Sequence, residues 1–210
     1  MKIGIIGVGN MGGGIGKLLA VKGYEVLYGA RDVNSDKVKN LIADSGLMAK
    51  AVSVNEAAQS ADVVILAVPM ESMENALESA GDLSGKVLVE CTNPVTSDFQ
   101  WLSIGTDNSA AEEAARLAPG SKVVKAFNAV GQKVLSNPEF GSLRADLFIC
   151  GDDDDAKAIV KKLGEDMGFN VVDTGGLACA RLLEPLAMLG IRLAVHEGMG
   201  GEIAFKILTR

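Results

Sequence analysis

The fold of this chain is decided by one stretch near its start, Ile5–Gly16, which reads IIGVGNMGGGIG. An apolar, strand-like run precedes the stretch, and the helix-competent run Ile15–Lys22 overlaps its end. Gly7, Gly9 and Gly12 follow the spacing G-x-G-x-x-G. In that spacing the first glycine permits a tight turn, the second lets a pyrophosphate approach the backbone, and the third lets the helix pack close to the strand. The free N–H groups at such a helix start attract phosphate. We therefore predict a dinucleotide-binding turn here.

The composition fits an α/β domain and excludes several kinds of partner. The chain has 210 residues, of which 48% are apolar and only 4% aromatic, as expected for a parallel sheet covered by helices. A net charge of −7 argues against nucleic acid and anionic membranes as partners. Cys91, Cys150 and Cys179 are not clustered, which indicates neither a disulfide framework nor a metal site. No apolar run reaches the roughly 18 residues of a membrane span, and no secretion leader precedes the first strand, so we expect a cytoplasmic protein.

Strand-like and helix-like segments alternate along the chain, which predicts a Rossmann-type, doubly wound α/β fold with a mainly parallel sheet of about eight strands. The first strand enters the glycine-rich stretch directly. The other seven predicted strands are Tyr24–Tyr28, Met48–Val52, Ala61–Val68, Lys86–Cys91, Lys122–Ala126, Ala145–Cys150 and Asn170–Asp173.

The C-terminal part of the chain differs from the rest and has no strand pattern. We assign residues 1–175 to a dinucleotide-binding domain and residues 176–210 to a small helical extension. Apolar residues such as Leu182 and Leu189 follow helical spacing, while Val195 and others are apolar on further faces. A helix that is apolar all round is normally buried. We therefore expect this helix to be covered by the domain and by a partner subunit.

The end of the second predicted strand indicates which dinucleotide is bound. An NAD site usually has an acidic residue there to bind the ribose hydroxyls, but this chain has Gly29 at that position. Arg31 follows, and its guanidinium can bind a 2′-phosphate in a bidentate manner. NADP is therefore favoured. Asp32 leaves NAD as an alternative, because a small shift of register would direct its carboxylate at the ribose.

Other segments that follow predicted strands should meet the glycine turn at the carboxyl edge of the sheet, where ligands of such folds bind. Two of them contain a proline, which turns the chain aside and leaves a wall for the cofactor. Two contain an asparagine, whose amide can hold the nicotinamide ribose or carboxamide. The residues concerned are Ala67, Val68, Pro69, Asn93, Pro94, Asn128 and Ala129.

No acid–base group for alcohol or hydroxy-acid chemistry is evident. The single histidine, His196, lies at the predicted end of the terminal helix, where a structural role is expected. The acidic run Asp152–Asp155 precedes an amphipathic helix and is interpreted as a helix cap rather than a metal site. Such a chain suits hydride transfer to an electron carrier, because a flavin or deazaflavin accepts the hydride on its own ring.

The motifs together resemble one family. They are IIGVGNMGGGIG at 5–16, YGAR at 28–31, DVVILAVP at 62–69, VLVECTNP at 87–94, KVVKAFNAVG at 122–131 and LEPLAMLGIRLA at 183–194. In order and over nearly the whole length, the chain is similar to the coenzyme F-420-dependent NADP oxidoreductase family, to which the cytosolic ferric-reductase domains of the STEAP proteins are related.

The resemblance implies a Rossmann domain with a helical extension, NADPH as cofactor and a homodimer. It also implies that Arg31 binds the 2′-phosphate and that the loop Asn128–Gly131 lies near the hydride acceptor. The chain departs from the family at Ala30, where the family often has a serine whose hydroxyl binds the phosphate. The residues implied for the pyrophosphate are Gly7, Val8, Gly9, Asn10 and Met11, and those for the nicotinamide half are Val68, Pro69, Asn93 and Pro94.

We therefore predict an NADPH-dependent oxidoreductase that transfers hydride between NADP(H) and a small-molecule acceptor, either coenzyme F-420 or a flavin. Alternative functions are the reduction of a small imine or carbonyl, the reduction of a ferric chelate, or NADP(H) sensing without catalysis. The imine and hydroxyacid reductases have similar N-terminal halves but much longer helical C-terminal domains.

Overall fold

A computed structural model describes residues 1–210. Ten strands are present, eight in one sheet and two in a small separate hairpin. In chain order the strands are β1 (Lys2–Ile6), β2 (Glu25–Gly29), β3 (Ala49–Val52), β4 (Val63–Leu66), β5 (Val87–Glu90), β6 (Lys122–Lys125), β7 (Glu139–Phe140), β8 (Leu143–Arg144), β9 (Asp146–Gly151) and β10 (Asn170–Asp173). The hairpin consists of β7 and β8.

Eight α-helices connect and follow the strands. They are α1 (Asn10–Val21), α2 (Asp36–Ser45), α3 (Val54–Ser60), α4 (Met73–Ala80), α5 (Ala110–Leu117), α6 (Gln132–Ser136), α7 (Asp154–Asp166) and α8 (Ala180–Ile191). None of them combines the length and apolar character that crossing a bilayer requires.

The main sheet has the order β10-β9-β6-β5-β4-β1-β2-β3. Six neighbouring strands, from β6 to β3, are parallel, whereas β9 pairs antiparallel with β6 and β10 runs parallel to β9. Strand order reverses between β1 and β4, which is the position where such folds bind their ligands. The predicted fold class, a Rossmann-type and mainly parallel sheet of about eight strands, is confirmed.

Alternate strand residues point to opposite faces of the sheet, and each face is covered by helices. Ile3 and Ile5 of β1 belong to one core cluster, together with residues of α1 and α7. Ile6 belongs to the cluster on the other face, where α4, α5 and α8 pack. Both faces of the central strands are thus buried from solvent, which explains their continuous apolar sequences.

Three short elements were missing from the sequence-based prediction. These are α4, α6 and the β7–β8 hairpin, which occupy segments left without an element between predicted strands. Helix α1 also begins at Asn10, earlier than the helix-competent run Ile15–Lys22 indicated. Short elements carry too few residues for a hydrophobic period to be read, so neighbouring structure decides their conformation.

The single chain covers only one face of the terminal helix, so the expectation that a partner subunit covers the rest stays a prediction. Helix α8 continues into one wider turn, in which the N–H of Glu197 donates to the carbonyl of Arg192. Leu182 is 70% exposed, Leu189 50% and Val195 65%. One face of the helix packs on α5 and the strand ends, and this chain has nothing to cover the other face.

Candidate active site

The glycine turn between β1 and α1 brings three backbone segments into close contact. Gly7 has φ +107°, a conformation that favours glycine, and a Cβ at this residue would lie 2.2 Å from the carbonyl oxygen of Ala67. A Cβ at Gly12 would lie 2.0 Å from the carbonyl oxygen of Gly7. Both glycines are therefore required by packing inside the protein.

Gly9 differs, because it is surrounded by open space. A Cβ placed there would meet no atom within 4 Å. Gly9 also precedes the first residue of α1 and provides no side-chain cap for the helix N–H groups. The turn therefore leaves an open approach to uncapped N–H groups, which suits a pyrophosphate. Val8, Asn10 and Met11 complete this turn, and Asn10 is exposed.

The end of β2 is crowded at the position where an NAD site has its acidic residue. A Cβ at Gly29 would lie 3.1 Å from both the Cβ of Ala57 and the Cα of Val54. Two residues further on, Arg31 is exposed. The alternative residue, Asp32, accepts the N–H of Asn34 at 2.9 Å through Oδ1, so its carboxylate stabilises its own loop.

The segments after β4 and β5 lie side by side at the carboxyl edge of the sheet. Ala67 donates its N–H to the carbonyl of Ile6 at 2.9 Å, and the hydroxyl of Thr92 donates to the carbonyl of Val68 at 2.9 Å. Pro69 is exposed, whereas Pro94 is buried. The structure thus places the segment after β4 next to the glycine turn, and the segment after β5 next to the segment after β4.

Asn93 and Asn128 hold the ends of β5 and β6 together. Asn93 Nδ2 donates to the carbonyl oxygen of Asn128 at 2.7 Å. Asn128 Nδ2 donates to Asn93 Oδ1 at 3.1 Å and to the carbonyl of Leu183 at 2.9 Å. Asn128 Oδ1 is buried without a hydrogen-bond partner. An unpaired buried acceptor requires an explanation, and a bound amide or hydroxyl donor provides one.

Phe127, which precedes this asparagine, is strained. It has φ +63° and is 1% exposed, a combination that is rare for a bulky residue. Such backbone strain persists where the surrounding structure fixes it, and it is frequent at functional sites. Here it turns the chain after β6 so that Asn128 faces Asn93.

A mainly apolar cavity of about 120 Å³ adjoins the same loop. Asn128 and Ala129 lie on one side of it, and residues of α8 and of the C-terminal tail, among them Ile191 and Phe205, lie on the other. An apolar recess beside a polar strand edge is the kind of surface that lines a ligand site.

A buried charge cluster lies beneath this edge, and the sequence-based prediction missed it. Lys125 Nζ donates to Glu90 Oε2 at 2.6 Å and to Glu184 Oε1 at 2.8 Å. The side chains are at most 2% exposed. Glu90 and Lys125 each end an apolar strand, and the two strands are neighbours. Because a charge inside a buried strand needs a partner, these two residues were the sequence signal for an ion pair.

Other reactive side chains have structural partners. His196 is exposed, and its Nε2 lies 3.3 Å from the carbonyl oxygen of Phe99. Asp153 accepts the N–H of Ala156 at 2.8 Å and caps α7.

Burial raises the pKa of the Cys91 thiol above its usual range and that of Cys150 to about 12. These two thiols are therefore protonated at neutral pH and are not activated nucleophiles.

Fold and site together define a Rossmann-type oxidoreductase. The sequence model of the family "NADP oxidoreductase coenzyme F-420-dependent" matches residues 2–94. The F-420-dependent NADP reductase of Methanothermobacter marburgensis is 34% identical, over 94% of both chains. The chain therefore belongs to the family of F-420-dependent NADP oxidoreductases, which confirms the resemblance seen in the sequence.

Two further relatives agree with this assignment. Metalloreductase STEAP3 of Rattus norvegicus is 33% identical over 90% of this chain, which corresponds to 37% of that protein. A solved structure from Arthrobacter sp. FB24 carries the provisional name of an F-420-dependent NADP reductase. It is 28% identical in sequence to this chain and superposes on it with a TM-score of 0.90. That alignment covers 100% of both chains.

Proposed function

We propose that the protein transfers hydride between NADP(H) and coenzyme F-420, or another carrier of the deazaflavin or flavin type. The similarity to an F-420-dependent NADP reductase over 94% of both chains carries this proposal. The open glycine turn and the unpaired Asn128 Oδ1 support it, because they fit a pyrophosphate and an amide donor.

The individual residues have distinct roles in this proposal. When bound, NADPH supplies a hydride from its nicotinamide ring and the carrier ring accepts it together with a proton from solvent. The glycine turn, Gly7 to Met11, binds the pyrophosphate through backbone N–H groups, and Arg31 binds the 2′-phosphate. Ala67, Val68, Pro69, Asn93 and Pro94 form the wall for the nicotinamide half. Asn128 and Ala129 border the cavity and would hold the acceptor ring.

The residues that we assign to the site orient the two ligands and exclude water. No side chain needs to exchange a proton with the reacting carbon, because the nicotinamide ring and the carrier ring supply the reacting atoms. Apolar surroundings such as Ile191 and Phe205 keep water away from the hydride path.

We further propose that residues 1–175 are the NADP-binding domain and residues 176–210 an extension packed on it, with its exposed side in a homodimer. Arg181 donates to both oxygens of Glu112, at 2.6 and 2.9 Å, which fastens α8 to α5. The exposed leucines of α8 favour the dimer. A cytoplasmic location and the absence of a nucleic-acid partner stay predictions.

The cofactor assignment is tested by replacing Arg31 with alanine. We expect the R31A variant to lose about 10- to 100-fold in NADPH affinity, as for a charged bidentate hydrogen bond, while NADH affinity is unchanged. Isothermal titration calorimetry with both nucleotides measures this. Arg144→Ala, another exposed arginine, is the control. An R31A variant that keeps its preference for NADPH contradicts the assignment.

The acceptor is tested by stopped-flow oxidation of NADPH with F-420, FMN, FAD, a ferric chelate and a small imine in turn. We expect fast single turnovers with F-420 or a flavin. The ferric chelate is included because of the metalloreductase relative. Rapid turnover of the imine without any flavin would contradict the proposed reaction, and tight NADPH binding with no acceptor reduced would favour a sensor.

A further inference from the structure

The buried charge cluster beneath the site has a role beyond holding elements together. It consists of Lys125, the last residue of β6, Glu90, the last residue of β5, and Glu184 on α8. The three charged groups are almost completely removed from water. Replacement of such clusters by apolar residues is often neutral or stabilising, so fold stability alone does not explain the presence of three buried charges.

The cluster contains more negative than positive charge. Glu90 accepts from Lys125 Nζ and from the N–H of Thr92. Glu184 accepts from Lys125 Nζ and, through both oxygens, from the N–H of Ala110 at 2.9 and 3.2 Å. Each of the four carboxyl oxygens thus accepts an N–H, which is the hydrogen-bonding pattern of two carboxylates. Two carboxylates and one ammonium leave one negative charge, which the N-terminus of α5 offsets in part.

The pKa of Lys125 agrees with an ammonium at the centre of the cluster. Burial alone would lower the pKa of Lys125, but the two carboxylates outweigh burial and raise it. The pKa of Glu184 is raised above its ordinary value, because burial and the neighbouring charge of Glu90 outweigh the ammonium of Lys125 and the N–H of Ala110.

The cluster lies directly below the wall that we assign to the nicotinamide. Lys125 Nζ also donates to the carbonyl oxygen of Thr92. Thr92 is the neighbour of Asn93, and its hydroxyl donates to the carbonyl of Val68. The same few peptide units therefore contact the charge cluster on one side and border the site on the other.

We propose that this buried negative charge makes the site discriminate between the two oxidation states of the nicotinamide, favouring NADP⁺ over NADPH. This inference rests on the proposed function. NADPH and NADP⁺ differ by one hydride, a proton with two electrons, whose loss leaves a positive charge on the ring. The phosphates and riboses of the two forms are the same, so the difference in binding comes from the ring.

The effect is large enough to measure. Two unit charges about 10 Å apart, at an effective dielectric constant of about 20, alter an equilibrium by roughly tenfold. Preferential binding of NADP⁺ stabilises the protein-bound state that follows hydride donation, so the cluster promotes transfer from NADPH to the acceptor.

The Glu184→Gln variant tests the inference, since it keeps the shape and removes one charge. We expect the ratio of the NADPH dissociation constant to that of NADP⁺ to fall by about 3- to 10-fold, measured by calorimetry with each nucleotide. Asp62→Asn removes a carboxylate at the opposite edge of the sheet, where Asp62 accepts the N–H of Lys2. This control should leave the ratio unchanged.

The outcomes separate the inference from the proposed function. If wild-type protein binds neither nucleotide, the proposed function fails. If it binds both, and E184Q weakens both equally or changes neither, the cluster is only structural and the inference is wrong. Glu90→Gln removes the second carboxylate that accepts from Lys125 and should have the same effect on the ratio. Both variants are measured in parallel, so that a folding defect in one of them does not decide the result.

Discussion

Gly9 and Gly12 lie three residues apart, just before and just inside the start of α1, yet the structure gives them different reasons to be glycine. At Gly12 a side chain would collide with the carbonyl oxygen of Gly7, whereas at Gly9 it would enter open space. The first constraint comes from packing inside the protein. For the second we propose a ligand that approaches the backbone.

This difference predicts opposite effects of two alanine substitutions. Gly9→Ala should leave the melting temperature nearly unchanged but weaken NADPH binding by more than about tenfold, because the methyl group occupies the approach of the pyrophosphate. Gly12→Ala should destabilise the fold by about 1–3 kcal/mol, as overpacking does. Thermal unfolding and calorimetry of both variants measure these effects. A G9A variant that binds NADPH normally would show that Gly9 has no part in binding.

At the residue scale the sequence predicted those site residues whose function is tied to a local motif. The glycine spacing and the missing acid at Gly29 can be read from neighbouring residues. The partners of Lys125 could not be read, because Glu90 and Glu184 are 35 and 59 residues away along the chain. Only strand order and the docking of α8 bring them together.

The C-terminal tail is fastened to the sheet by one buried carboxylate. Asp146, at the start of β9, accepts from Asn170 Nδ2 at 2.6 Å, from Lys206 Nζ at 2.6 Å and from the N–H of Ile207 at 2.7 Å. Its side chain is fully buried. The tail lines the cavity beside Asn128 through Phe205, so this attachment maintains one wall of the site.

This attachment should fail in acid. Burial alone would raise the pKa of Asp146, but its three donors outweigh burial and hold the pKa below the usual range. A carboxyl whose pKa is lower in the folded protein stabilises above its unfolded pKa of about 3.9, and the contribution is lost as pH falls through the folded value. We expect the amide of Ile207 to be protected from hydrogen exchange at pH 5–7, and its protection to decline below about pH 4.

The Asp146→Asn variant should lose this protection already at neutral pH, because the charge-assisted bonds, worth about 1.5–3 kcal/mol each, are weakened. Hydrogen exchange with mass spectrometry reports on the tail and on central strand β4 separately. Glu202→Gln is the control, because its ion pair with Lys133 is largely exposed and contributes little. Unchanged protection of Ile207 in D146N would refute the role of Asp146.

At the element scale, long apolar strands were predictable and their direction was not. The Ala145–Cys150 segment was identified as a strand, but its antiparallel pairing with β6 leaves no signal in a run that is apolar on both faces. The reversal depends on α6 and the β7–β8 hairpin, both too short to be recognised from periodicity.

At the scale of the whole molecule, exposed apolar side chains are concentrated on the C-terminal extension and the Thr96–Asn108 loop. Leu182, Leu189 and Val195 are joined by Phe99 and Trp101 of that loop. His196 and Phe99, which are in contact, link the two segments. Exposed apolar surface of this kind marks interaction sites, and this favours the dimer that we propose.

Light scattering coupled to size exclusion should therefore give twice the 21.8 kDa mass of one chain. Leu189→Lys should shift the protein toward monomer at micromolar concentration, because burying a leucine contributes about 1.5–3 kcal/mol per site and a lysine reverses that gain. Leu47→Lys alters an equally apolar but fully exposed residue in the turn before β3 and should leave the mass unchanged. A wild-type monomer contradicts the proposal.

The crowded end of β2 has a consequence for protein engineering. A usual route to an NADH-dependent enzyme places an acidic residue at the end of this strand, but here the side chain would meet the backbone of Val54 and the methyl group of Ala57. Redesign of nucleotide preference in this scaffold is therefore better begun at the start of α3, or at Arg31 itself, because an aspartate at position 29 requires its neighbours to shift.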